Sequence, residues 1–204
     1  MANMAAFRNV TPNAKIALVN NKLGNPALKR NQGSSTEVYD YINVTSSIGN
    51  QQVLRFFADV NTKTFPFTNI QQNQLQAGEA LSIEYVALTR IEVTRGATPK
   101  INDFTALTNT VAGLTLSQLQ ILLDNSRILK NNSLTRSFAD LNTRGGTATN
   151  SLFYPDTDLV IPPQIQFTVE LTVPSNTDTA TDVDVYYGCH LFGTGAILNL
   201  KANV

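Results

Sequence analysis

Between Ile165 and Val173 the chain alternates without a break: Ile165, Phe167, Val169, Leu171 and Val173 are apolar, and Gln164, Gln166, Thr168, Glu170 and Thr172 are polar. Successive side chains of a β-strand point to opposite faces, so this pattern is one dry face and one wet face of an antiparallel strand. Register follows, because a slip of one residue would turn every apolar group outward. After the turn-forming run Pro174-Ser175-Asn176-Thr177-Asp178, the residues Val183, Val185, Tyr187, Cys189 and Leu191 repeat the alternation. The two segments are therefore expected to share a sheet or to face each other across a core.

The same period recurs upstream. Val38, Ile42 and Val44 share one face of a predicted strand and Tyr39 and Tyr41 the other, and a further strand is expected over Gln52 to Val60. Leu81, Ile83, Tyr85, Ala87, Ile91 and Val93 alternate with Ser82, Glu84, Arg90, Glu92 and Thr94, a stretch long enough for one bent strand or two. Ile197, Leu198 and Leu200 are expected to finish the set. The intervening Phe65-Pro66-Phe67 and the Gln-rich Gln71 to Gln76 read as a loop carrying two aromatics, because proline and polar amides interrupt the period. Helical spacing appears at Thr115 to Asp124, where Leu116, Leu119, Leu122 and Leu123 follow a capping-box-like Thr115-x-x-Gln118. A second short helix is expected over Leu134 to Leu141, and a glycine loop around Gly145 and Gly146, between Thr143 and Asn150. Many strands, helices confined to connections and no βα alternation predict a mostly β, antiparallel β-sandwich, with a single jelly roll the most frequent arrangement at this size. A chain of 204 residues accommodates one such domain with an extended arm.

That arm is expected over residues 1–35, with the domain occupying 36–204. One short apolar run, Ile16 to Val19, stands among Pro12, Gly24, Pro26 and Gly33-Ser34-Ser35. The ionisable side chains up to Thr36 are all basic, namely Arg8, Lys15, Lys22, Lys29 and Arg30, whereas acids and no Lys or Arg occur between Arg144 and Lys201. A net charge of zero thus hides a positive start and a negative end, which suits an arm lying on a neighbour's acidic surface. Direct contact of the arm with nucleic acid is the lesser expectation, since these cations are far sparser than the usual basic tract. Charged residues make up 15% of the chain against roughly 25% in ordinary domains. Asn, Thr and Gln replace them, and neutral amides cost less to desolvate when an interface closes. Cys189 is alone, so no intrachain disulfide is expected. Neither a signal-like start nor an apolar run of about 18 residues occurs, and no membrane association is expected.

Few residues are suited to chemistry. The one histidine, His190, falls on the opposite strand face from Cys189, so the two cannot pair locally, and a surface or interface histidine is expected. A structural zinc needs four Cys or His ligands and only these two exist. Asp178, Asp182 and Asp184, and separately Asp156 and Asp158, bring carboxylates to turns without a calcium-loop spacing, and are expected to be solvated. Gly193-Thr194-Gly195 lacks the third glycine and following helix of a phosphate loop. No carboxylate pair is singled out for glycoside hydrolysis, and the lack of tryptophan weighs against a sugar groove, although Tyr39, Tyr41 and Tyr186 could substitute. No enzyme activity, cofactor or metal is expected.

The run IPPQIQFTVELTVP, residues 161–174, followed by DVDVYYGCHLFGTGAI, residues 182–197, resembles the paired late strands of bacteriophage virion proteins. Over residues 36–204 the architecture resembles viral jelly-roll structural proteins. The resemblance implies a non-enzymatic capsid or capsid-associated subunit that forms homo-oligomers, contacts other virion proteins and resides in the virion. The contact candidates are then Arg8, Lys15, Lys22, Lys29 and Arg30 of the arm, Phe65 and Phe67, and Gly145 and Gly146. The competing expectation is a receptor- or carbohydrate-binding β-sandwich module of a fibre or adhesin.

Overall fold

The computed structural model describes residues 31–45, 52–97, 118–124, 126–131, 151–153, 155, 159–173 and 182–198. Its strands are β1 (Asn31–Asn43), β2 (Gln52–Phe56), β3 (Glu79–Thr94), β4 (Gln118–Leu123), β5 (Ser126–Asn131), β6 (Ser151–Phe153), β7 (Leu159–Ile161), β8 (Phe167–Val173) and β9 (Val183–Leu198). They form two sheets, one in the order β1-β9-β3-β6 with β7 also on β3, the other β2-β8-β4-β5. Every pairing between these strands is antiparallel. β1 begins at Asn31, inside the segment expected as an arm; residues 1–30 lie outside the described residues.

The two sheets bury one core between them. Val38, Leu81, Val185 and Leu191 of the first sheet share a cluster with Phe56, Leu119, Phe167, Val169 and Leu171 of the second. The alternation of β8 holds, with Phe167, Val169, Leu171 and Val173 buried and the residues between them half-buried. Ile165 precedes the strand and is exposed. On β9, Val185, Tyr187, Cys189 and Leu191 are buried as the pattern requires. The two late strands therefore face each other across the core, from different sheets.

β3 is a single strand of 16 residues, and its faces are not those the period predicts. The pairing with β9 shifts between Ile83 and Tyr85. Leu81 and Ile83 point into the main core, but beyond the shift Val86 and Leu88 do so, while Ile91 and Val93 join Tyr41 in a separate cluster. Placing Tyr85, Ala87, Ile91 and Val93 on the face of Leu81 is thus corrected: a bulge at Glu84 adds one residue, and one residue exchanges the faces of everything after it. Gly193 stands opposite the bulge, where a Cβ would come within 1.9 Å of the Ser82 carbonyl oxygen. The glycine there answers to close backbone approach.

The helix expected over Thr115 to Asp124 is also corrected, since Gln118–Leu123 is β4, turning at Asp124 into β5. The Leu-rich run fits two periods, because Leu119 and Ile121 alternate as well as any strand does. Both are fully buried, and β4 is bonded on both edges, to β8 and β5. Sheet pairing and burial override helix propensity here. The second expected helix, Leu134 to Leu141, and the loop with Gly145 and Gly146 lie outside the described residues.

Gly193→Ala is expected to destabilise the fold by about 3 kcal/mol or to prevent folding, because the obstacle is backbone and cannot rotate away. Urea unfolding followed by circular dichroism checks this; an unchanged midpoint would show that the bulge does not need the glycine.

Candidate functional site

The polar chemistry of the described residues gathers around β1. Asp40 sits on the core side of that strand, between Val38 and Ile42, with no exposed surface. Its two carboxylate oxygens accept bonds from Lys63 Nζ at 2.8 and 2.9 Å, and Oδ2 also accepts from the Phe57 backbone N–H at 2.8 Å. Phe57 holds φ 67°, a left-handed backbone that the anchored N–H helps to keep. Burial pushes the Asp40 carboxyl above the ordinary carboxylate range, and the bonds from Lys63 and Phe57 pull the other way. Since the folded value is raised, the stabilising contribution is present in full below the unfolded pKa and is lost as pH rises through the folded one. The ionised form is the one that depends on Lys63.

Lys63→Met is accordingly expected to cost about 3–5 kcal/mol near pH 7, the range for stranding one member of a buried ion pair. The loss should shrink at a pH low enough to protonate Asp40. Chemical unfolding of both proteins at the two pH values tests the pair; an equal loss at both would disprove the dependence on charge.

The opposite face of β1 carries a second network. His190 on β9 and Cys189 beside it point to opposite faces as expected: the cysteine is buried in the core, where burial raises its thiol pKa well above the ordinary value, and the histidine lies on the outer face. His190 Nδ1 is 2.5 Å from Glu37 Oε1, and Nε2 is 3.0 Å from Tyr41 Oη and 3.2 Å from Thr89 Oγ1. An acid, an imidazole and a hydroxyl in that order make up the relay of nucleophilic hydrolysis. Here the two hydroxyl residues are 4% and 8% exposed, and both hydroxyls meet the same imidazole nitrogen. The relay instead ties β1, β9 and β3 together through side chains. Tyr41 lies directly over Gly188, where a Cβ would come within 2.5 Å of its ring.

Aromatic rings extend this network across the sheet. Tyr39 stacks on His190 at 5.4 Å between centroids, His190 on Phe192 at 6.0 Å, and Phe192 on Tyr85 at 4.7 Å, a continuous row over three strands. Phe67 packs on Tyr186 at 4.8 Å from the connection between β2 and β3. Burial, ahead of any neighbouring charge, raises the phenol pKa of Tyr39, Tyr41 and Tyr186 above the ordinary value. Folding thus retains protons that the unfolded chain gives up, and stability falls as pH rises above the unfolded tyrosine pKa. Ultraviolet titration should show part of the tyrosine signal appearing only above pH of about 10, the unperturbed value, and Tyr41→Phe should remove part of that delayed signal. A titration completed at the unperturbed pKa would contradict the burial.

The outer edge of β1 is partly covered by residues 67–69. Tyr41 N donates to the Phe67 carbonyl at 2.9 Å, and Thr68 Oγ1 donates to the Tyr39 carbonyl at 3.1 Å. The Asn69 carboxamide accepts from Tyr39 N at 2.9 Å and donates to the Glu37 carbonyl at 2.8 Å, taking the place of a peptide unit in a neighbouring strand. Where this cover ends, a cleft of about 440 Å³ opens, lined by Thr36, Glu37 and Val38 of β1, the amides Asn69, Gln71, Gln74 and Gln76, and Glu79 and Ile197 at the ends of β3 and β9. Among the described residues its lining includes two carboxylates and no Lys, Arg or His.

Of the contact residues singled out from sequence, Phe65 is 70% exposed at the loop tip and Phe67 is half-buried. Arg8, Lys15, Lys22, Lys29, Arg30, Gly145 and Gly146 lie outside the described residues, as do Asp156, Asp158 and Asp178. Asp184 lies 3.5 Å from Arg95. Among the described residues no three metal-ligating side chains converge. The pairing of Glu37 with His190 escaped sequence reasoning because 153 positions separate them. The inward Asp40 was legible as an acid on the same strand face as Val38 and Ile42.

No family model matches this chain, and no curated protein matches it. Among solved structures there is a similarity to dimeric latent PorU from Porphyromonas gingivalis, at 10% identity over 82% of this chain and 13% of that one. The TM-score is 0.24, too low to bear on fold or function.

Proposed function

We propose that this chain is a non-enzymatic structural protein of a virus particle, a capsid or capsid-associated subunit built on a single jelly roll and assembling with copies of itself and other virion proteins. The observation that carries this is the nesting of the strand pairs: β1 with β9, β2 with β8, β3 with β6 and β7, and β4 with β5. One long antiparallel hairpin rolled into two layers has this order, with successive pairs falling alternately in one sheet and the other. Viral capsid subunits, lectins and cupins all use the jelly roll. The polar, weakly charged composition favours the first, since amides and hydroxyls are cheaper than ions to bury against many neighbours. The basic residues 1–30 lead directly into β1, an edge strand of its sheet. The burial of Tyr41 and Thr89 favours a non-enzymatic role for the His190 network.

A receptor- or carbohydrate-binding module is the second reading, favoured by the amide-lined cleft. Light scattering of the purified chain, with and without residues 1–30, separates the two. The deletion stops at Arg30 because removing residues 31–35 would cut into β1. An oligomer that dissociates without the segment is expected; a monomer in both forms would overturn self-assembly and leave the binding module.

A further inference from the structure

We infer that the outer edge of β1, from Asn31 to Glu37, together with the cleft beside it, is the acceptor site for an extended segment around Lys15–Lys22 of a second copy of this chain. The inference rests on the self-assembly proposed above and names the surface that would carry it.

Backbone geometry comes first. The bonds of Tyr39 and Tyr41 to residues 67–69, and of the Glu37 carbonyl to Asn69, show that odd-numbered residues of β1 turn their peptide groups toward the outer edge. Alternation along the strand then directs the N–H and C=O of Ser35 the same way. Among the described residues no strand pairs with this edge, and its cover is the single bridge Asp40↔Thr68 with the Asn69 carboxamide beside it. About 23 Å of edge runs from Asn31 to Glu37, where the Glu37 carbonyl is taken by Asn69 and the outward main-chain groups of Asn31, Gly33 and Ser35 are placed for an added strand.

Side chains select the occupant. Among the described residues the cleft at this edge is lined by Glu79, by Glu37, whose Oε1 also meets His190, and by no Lys or Arg, while Gln71 and Gln76 supply neutral donors and acceptors suited to a peptide backbone. An added strand with lysines fits such a wall, and an acidic one is repelled. Within the chain, residues 1–36 carry only basic ionisable side chains, and the apolar run Ile16 to Val19, β-branched at both ends, is flanked by Lys15 and Lys22. Length agrees as well, since Lys15–Lys22 and Asn31–Glu37 differ by one residue.

The test mixes full-length chains grown in light and heavy nitrogen, joins neighbouring amines and carboxylates with a zero-length carbodiimide, and reads the linked peptides by mass spectrometry. Links from Lys15 or Lys22 to Glu79 or Glu37 that contain one light and one heavy partner are expected. Ser35→Pro removes the outward N–H while leaving the bonds to β9, so it should reduce those links about tenfold, whereas Ser35→Ala should preserve them. A thermal melt confirms that both variants fold. Links confined to one isotope would mean that the segment returns to its own edge, and overturn the second-copy assignment. Links unaffected by Ser35→Pro, or directed to acids elsewhere, would overturn the acceptor site. An oligomer lacking these links leaves assembly standing and removes this site; a monomer removes both.

Discussion

One extra residue in β3 decides which side chains of this protein are core and which are surface. Up to Ile83 the strand is in phase with its sequence pattern, and after Glu84 it is reversed, so that Val86 and Leu88 continue the core. The reversal also puts Tyr85 and Thr89 on the outer face, where the first stacks on Phe192 and the second meets His190. Without the bulge, the same strand would turn Tyr85 and Thr89 toward the core and Val86 and Leu88 toward the outer face. Gly193 is what lets the partner strand pass the distortion, because no side chain fits between it and the Ser82 carbonyl. The outer network and the inner core therefore share one backbone irregularity.

β1 is held from both sides by chemistry rather than by packing alone. On its inner face, Asp40 draws Phe57 and Lys63 toward the strand, fixing the start of the connection to β3. On its outer edge, Phe67, Thr68 and Asn69 fix the middle of the same connection. A buried carboxylate is an expensive fastener compared with a leucine, but it is directional, and a connection rich in polar residues has few apolar groups to offer instead. The cover stops at Asn69, and this is why the cleft opens where it does.

How much of this was legible depended on the distance over which each feature is determined. β8, the part of β1 from Val38 on and the part of β9 up to Leu191 were readable because alternation is local and their inner positions are uninterrupted, apart from Asp40, whereas residues 31–35 were read as arm. The reversal in β3 was not, since Ala87, Ile91 and Val93 are apolar on the face that the bulge sends outward, and the sequence continues smoothly across it. The helix expected at Thr115 failed for a different reason: Leu119, Ile121, Leu122 and Leu123 satisfy both periods, and only pairing with β8 and β5 separates them. The aromatic and histidine network joins residues roughly a hundred or more positions apart, beyond any local pattern. Tyr39 and Tyr41 were at least placed on one face, the face on which His190 was then found.

The position of β9 has a consequence for the order in which the molecule is built. It lies between β1 and β3 and pairs with each along nearly its whole length, so the first sheet has no centre until its last strand is in place. During synthesis β1 must wait through more than half the chain, and β3 through somewhat less than half, for the partner that joins them, with edges and apolar faces open meanwhile. Contacts so distant in sequence make for slow folding and long exposure to wrong partners. For a ribosome-bound chain, the second sheet, whose β8 emerges earlier, is thus the part able to form first, and the closing of the first sheet by β9 is the step that commits the protein to its native state.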